Sequence, residues 1–143
     1  MPEQKDKKPI KSFRDLEVFQ NTYAAMLRLM KEVLPLIPAS EKYDLVDQLR
    51  RSCKAAPRLI AEGYAKRHQK FGFQKYLDDA MTECNETIVS LEQARDIYGI
   101  NPKVINELVD IYDKSGRQIY NLSTAWTNFK DPKRNQESSK GKR

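Results

Sequence analysis

The stretch QLRRSCKAAPRLIAEGYAKRHQKFGFQKYL, residues 48–77, decides how this chain folds and where its charge lies. Its apolar positions Leu49, Cys53, Ala56, Ile60 and Gly63, with Val46 just ahead of them, are spaced 3-4-3-4-3. At about 100° per residue that spacing keeps all six on one helical stripe. Pro57 deletes a single backbone hydrogen bond, so it predicts a kink near Cys53 and not an end. Gly63 puts no side chain on the stripe, which lets a neighbouring helix approach closely. Lys66–Gly72 is polar and basic and ends in a breaker, so a turn is placed there.

Outward from this stretch the same spacing recurs. Leu16, Phe19, Tyr23, Met26, Met30 and Val33 form the stripe of a first helix over about 14–34, ended by Pro35 and Pro38. Ser40 is the predicted N-cap of the second helix, over about 41–66. Phe73, Leu77, Ala80, Cys84, Thr87, Leu91, Ala94 and Tyr98 mark a third, over 73–98, with Gly99 as its stop. Asn101 and Pro102 open a fourth, over 102–130, with the stripe Ile105, Leu108, Tyr112, Ser115, Ile119, Leu122, Trp126 and Phe129. Short connections favour an all-α, antiparallel, up-down-up-down four-helix bundle spanning 13–130. Residues 1–12 and 131–143 are polar, lack periodicity and read as a disordered basic arm and a disordered basic tail.

Composition agrees with a single helical domain. A chain of 143 residues can bury about two-thirds of its unfolded surface, enough for one core. Only five glycines are present, fewer than a sheet with its many turns would need. No apolar run has the length of a membrane span and none near the start resembles a secretion signal, so the expected compartment is the cytoplasm, without a membrane partner. Cys53 and Cys84 lie on the apolar stripes, where a thiol acts as a small hydrophobe and not as part of a disulfide framework.

Charge is distributed unevenly. Residues 48–77 carry eight Lys or Arg against one acid, Glu62, while the whole chain has a formal net charge of only +6. Arg50, Lys54 and Arg58 succeed one another every fourth position, with Arg51 beside them, roughly opposite Leu49, Cys53, Ala56 and Ile60. That basic face, continued by Lys66, Arg67, Lys70 and Lys75, is either an ordinary solvated surface or a surface for a polyanion, which points to RNA or DNA contacted at its phosphates. A third reading has it docking an acidic protein. Of these cations the ones in the turn, Lys66 to Lys75, are the safer expectation for nucleic acid if a neighbouring subunit takes up the helical stripe. Tyr64, Phe71 and Tyr76 are the aromatic residues placed to stack on bases, with packing the commoner use of each.

The third helix is the electrostatic counterpart. Asp78, Asp79, Glu83, Glu86, Glu92 and Asp96 stand with one basic residue among them, Arg95. Pairing with the second helix, a solvated acidic face, and an edge (Asp78, Asp79, Glu83, Glu86) that meets the basic edge of a second copy all remain open, the first slightly favoured. Catalysis is not indicated. His68, the only histidine, lies in the basic turn without a nucleophile pattern around it, and no Glu-x-x-His pair or phosphate-binding glycine loop occurs. No cofactor or metal is expected.

FRDLEVFQ (13–20), QLRRSCKAAPRLIAEGYAKR (48–67) and the series Glu86, Leu91, Ala94, Gly99, Ile100 resemble the four-helix-bundle family of proteins encoded in intervening sequences of large-subunit ribosomal RNA genes. One branch of that family contains the accessory variability proteins of diversity-generating retroelements. The resemblance spans about residues 13–100 and is most specific in QLRR followed by the proline and IAEG. It implies a homopentameric, barrel-like ring with a basic surface and no catalytic activity, and in the retroelement branch a partnership with a reverse transcriptase and its template RNA. Ala55, Arg58 and Leu59 depart from the small polar residues common around Pro57, which adds charge and removes hydroxyl and amide groups.

Overall fold

The computed structural model describes residues 9–129, with side chains as far as Trp126. Four α-helices pack with each other: α1 (Glu17–Glu32), α2 (Leu45–Ala65), α3 (Gly72–Tyr98) and α4 (Pro102–Phe129). Each packs against two others, α2 and α4 both flanking α1 and both flanking α3. Side-chain pairs give the directions. Asn21 Nδ2 donates to Gln118 Oε1 at 3.2 Å, and one helical stretch further along α1 Arg28 pairs with Glu107, lower in the numbering of α4. On the other side Ser52 meets Thr87, and Gly63 lies against Phe73 and Tyr76. Both helix pairs therefore run in opposite senses.

Two helix starts lie later than the periodicity predicts. The first helix begins at Glu17 and not near 14, because Ser12–Asp15 closes into its own 3-10 turn. Ser12 Oγ accepts from the Arg14 N–H at 3.1 Å, and the Asp15 carboxylate accepts from the Lys11 and Ser12 N–H groups at 2.8 and 3.0 Å. This is a reciprocal capping box around a single turn. The second helix begins at Leu45 and not at 41, since Ala39–Glu41 is a 3-10 turn and Ser40 caps nothing. Glu41 serves instead, with Oε1 accepting from the Leu45 N–H at 3.3 Å. α2 then passes through Pro57 as one helix. α3 ends where expected, on a left-handed Gly99 whose N–H donates to the Arg95 carbonyl at 2.8 Å, a conformation that suits glycine. Phe129 has no described side chain, and the arm residues 1–8, Lys130 and the tail 131–143 lie outside the described residues.

The core follows the predicted stripes on α2, α3 and α4. Leu49, Cys53, Ala56, Ile60, Phe73, Leu77, Leu91, Ile105, Leu108, Tyr112 and Ile119 are all fully buried. On α1 the inward face is turned by about one residue from the predicted one. Val18, Thr22, Ala25, Leu29 and Val33 are buried, Phe19, Met26 and Met30 only border the core, and Tyr23 is 45% exposed. Both faces have helical spacing, so periodicity does not choose between them. The smaller side chains Thr22 and Ala25 bring α1 closer, and Thr22 is tolerated because its hydroxyl donates to the Val18 carbonyl at 2.9 Å.

Gly63 shows why α2 and α3 approach so closely. A Cβ there would lie 2.7 Å from Tyr76 Cβ and 3.0 Å from Phe73 Cδ1. Both cysteines are free and buried, and burial pushes the Cys53 thiol up to about 11 and the Cys84 thiol up to about 12, so both stay protonated fillers. No helix among the described residues is long and apolar enough to cross a membrane.

Candidate nucleic-acid interface

Seen down α2, the residues turned toward α3 are Gln48, Ser52 and Ala55, which line a cleft shared with Glu83 and Glu86. Arg50 and Lys54 fall on the opposite flank, toward α1, and Arg58 points outward between the two. Arg50 and Arg58 are exposed and Lys54 is half-buried. No carboxylate among the described residues lies within ion-pair distance of these three. Spacing of four residues sets successive charges about 6 Å apart along a rigid rod. Arg51 differs: its Nε is 3.5 Å from Asp47 Oδ2 one turn earlier, with the side chain 76% exposed.

The pairing of α2 cations with α3 acids that the sequence slightly favoured is therefore absent among the described residues. Helical geometry is the reason. The α2 flank that meets α3 carries Gln48, Ser52 and Ala55, so only Arg51 comes near the acids. Its charge partly offsets the burial, and the neighbouring Glu86 charge, that together hold the Glu83 carboxyl above its ordinary range. Asp78, Asp79 and Glu86 are exposed and Glu83 is half-buried.

The turn that follows α2 is a tightly built structure. The Lys66 carbonyl accepts from the Gln69 N–H at 3.0 Å and the Gln69 carbonyl from the Gly72 N–H at 2.9 Å. A Cβ on Gly72 would stand 2.0 Å from the Lys66 carbonyl oxygen, so only glycine fits. Its cations rest on rings. Arg67 lies 4.0 Å from the Tyr64 ring centroid while Nη1 donates to the Tyr64 carbonyl at 2.8 Å, closing the end of α2. Lys66 is 5.8 Å from the Tyr76 ring and Lys70 is 5.7 Å from that of Phe71. Lys75 is exposed on the first turn of α3, and His68 is an exposed loop residue.

The three aromatic residues separate. Tyr64 is buried, edge-on to Phe73 at 6.0 Å and to Trp126 at 6.1 Å, and so belongs to the packing beneath the turn. Tyr76 is half-buried beside Gly63. Phe71 is 50% exposed and has a left-handed backbone (φ 59°), a conformation that costs a non-glycine residue about 1 kcal/mol or more. An aromatic residue held at that cost in a basic loop has the properties of a stacking platform. Sequence reasoning did not detect the cleft between α2 and α3. Its Ser52 and Ser90 sit at the flanks of the apolar stripes, where a serine resembles any solvated residue. Among the described residues no three metal-ligating side chains gather at one place.

The molecule is thus an all-α protein of four packed helices, with a line of cations free of acidic partners among the described residues on one helix and an acidic neighbour. A family model described as 23S rRNA-intervening sequence protein matches residues 14–121, and the chain belongs to that family. The match continues past residue 100 well into α4 and includes every candidate residue from Arg50 to Glu86. No curated protein matches the chain.

Proposed function

We propose that this protein is a non-enzymatic nucleic-acid-binding scaffold that acts as an assembly of identical copies and grips RNA or DNA along the Arg50, Lys54, Arg58 line. The single observation that carries the reading is that line itself: cations at helical repeat, running from the α1 flank at Arg50 and half-buried Lys54 to the outward face at Arg58, with no acid in reach among the described residues. Such an array holds phosphates without reading bases, the arginines as two-pronged donors and the lysine as a point charge. Phe71, at the end of the basic surface, adds a ring for an unpaired base, which favours single strands over duplex. The acidic edge Asp78, Asp79, Glu83, Glu86 remains for contact between copies, since a closed ring joins two different, complementary surfaces. An accessory role beside a reverse transcriptase follows from the branch the sequence resembles.

The test is charge reversal. Arg50, Arg51, Lys54 and Arg58 all changed to Glu should lower affinity for a labelled single-stranded RNA by about a hundredfold or more at moderate salt, measured by fluorescence anisotropy. A folded variant that keeps its affinity removes the α2 line from the account. Wild-type protein that binds no nucleic acid yet retains a stable acidic protein partner after nuclease treatment supports docking instead.

A further inference from the structure

Between α2 and α3 opens a cleft of about 390 Å³ lined by Gln48, Arg51, Ser52, Glu83, Glu86 and Ser90. Two carboxylates alone assign nothing; the hydroxyl groups beside them do. Ser90 is 4% exposed, lines the cleft and has no hydrogen-bond partner among the described residues. Tyr112 has the only fully enclosed unpaired oxygen among them, so Ser90 Oγ keeps a small accessible area, at the junction of the cleft and the adjoining groove lined by Thr82, Asn85, Val89 and Gln93. The Thr87 hydroxyl lies 2.8 Å from both the Glu83 carbonyl and Ser52 Oγ. Thr87 has one proton for these two acceptors, and Ser52 Oγ also lies 3.5 Å from the Leu49 carbonyl; Ser52 spends its single proton on Thr87 or on Leu49, and either way keeps at least one lone pair for the cleft. Gln48 Nε2 donates one N–H to Asp44 Oδ1 at 3.3 Å, which leaves Oε1 and the second N–H open. Acceptors therefore outnumber donors on every wall except at Arg51.

We propose that this cleft binds the N–H-bearing end of an alkylguanidinium or alkylammonium group, with Glu83 and Glu86 neutralising its charge while Ser52, Ser90 and Gln48 accept from its remaining N–H groups. The volume accommodates such a head and part of its chain. Arg51 stands at the rim, held by Asp47 at 3.5 Å, and is the chain's own competing cation. Two sources carry this chemistry, a free small amine and a basic side chain of a second copy. The site uses none of Arg50, Lys54 or Arg58, so it is tested apart from the phosphate contacts, although it shares Glu83 and Glu86 with the edge proposed for contact between copies.

Calorimetric titration of the full chain with agmatine tests the cleft. Binding to the wild type is expected, weakened at least about tenfold in the Glu83→Gln/Glu86→Gln variant, since charge-assisted hydrogen bonds are lost. Ser90→Val, which fills the cleft, should also weaken it. The decisive variant is Arg51→Ala, an exposed position whose truncation leaves the fold intact: removing the competing cation should tighten agmatine about threefold or more. No binding to the wild type, or weaker binding after Arg51→Ala, overturns the proposal. Sedimentation distinguishes the sources. A smaller assembly in the presence of agmatine identifies a side chain of another copy, and an unchanged size with the binding heat retained identifies a free amine.

Discussion

Two basic regions lie end to end on this molecule, and they are built for different work. Along α2, Arg50, Lys54 and Arg58 project from a helix with no carboxylate in reach among the described residues. In the turn from Lys66 to Gly72 the cations are engaged already, Arg67 on the Tyr64 ring and carbonyl, Lys66 on Tyr76 and Lys70 on Phe71. The sequence made the turn the safer expectation for nucleic acid in the case that a neighbouring subunit takes up the helical stripe. The α2 line ranks first in our proposal, because a cation lying on its own ring must give up that contact, about 0.5–1 kcal/mol at an exposed site, before it meets a phosphate. Charge density is a property of the sequence, but availability depends on the fold. What the turn contributes instead is a ring and a fixed shape.

The comparison is broken most severely at Gly72. Gly72→Ala drives a Cβ against the Lys66 carbonyl and should cost about 2–3 kcal/mol in urea unfolding, with the turn disrupted. If RNA affinity falls no more than a few-fold under conditions where that variant is still folded, the α2 line acts alone. A smaller effect is expected at Phe71. Phe71→Gly relieves the left-handed strain and should raise stability by about 0.5–1 kcal/mol. The same change should weaken single-strand binding several-fold through the lost stacking, about 1 kcal/mol or more per base. Stability and affinity moving in opposite directions would mark Phe71 as a binding residue, whereas a joint fall would mark it as packing.

The smallest effect concerns Glu83, which lines the cleft with Arg51 where the basic line meets the acids. Burial and the Glu86 charge raise the Glu83 carboxyl above its ordinary 4.5, so the folded state takes up its proton more readily than the unfolded chain does. Stability contributed by that proton is complete below the unfolded value and lost as pH rises through the folded one. Glu83→Gln should therefore melt slightly above the wild type at neutral pH, and the difference should vanish in scans below the carboxylate range. An unchanged difference at both pH values would mean that ionisation of Glu83 does not oppose folding.

Much of the architecture was legible because four helices each repeat a 3-4 apolar spacing, and most of the positions on α2, α3 and α4 proved to be buried, while Val46, Leu122 and Trp126 only border the core and Tyr98 is exposed. The start of α1 was misread because Asp15 and Ser12 cap a separate turn, and the start of α2 because Glu41, three residues before Asp44, does the capping. On α1 two adjacent faces share the same spacing, and the choice went to the one with Thr22 and Ala25 through packing against α2 and α4. The outward direction of Arg58 could be read from its angle of about 140° to Cys53 around the helix, whereas Arg50, about 60° from Cys53, lies on the flank of the buried stripe. That Arg67 is committed to the end of α2 could not, since the ring and carbonyl it uses are brought into place by the turn. The cleft was hidden for a related reason: Ser52 and Ser90 are 38 positions apart and become neighbours only once α2 and α3 run in opposite senses.

The most direct measurement is the salt dependence of RNA affinity for three proteins: wild type, a variant with Arg50, Lys54 and Arg58 changed to Gln, and one with Lys66 and Lys70 changed to Gln. Each phosphate contact on a single strand contributes about 0.7 to the slope of log affinity against log salt. The account predicts that the α2 variant loses about two units of slope while the turn variant stays close to the wild type. A slope that survives in the α2 variant and collapses in the turn variant would contradict it.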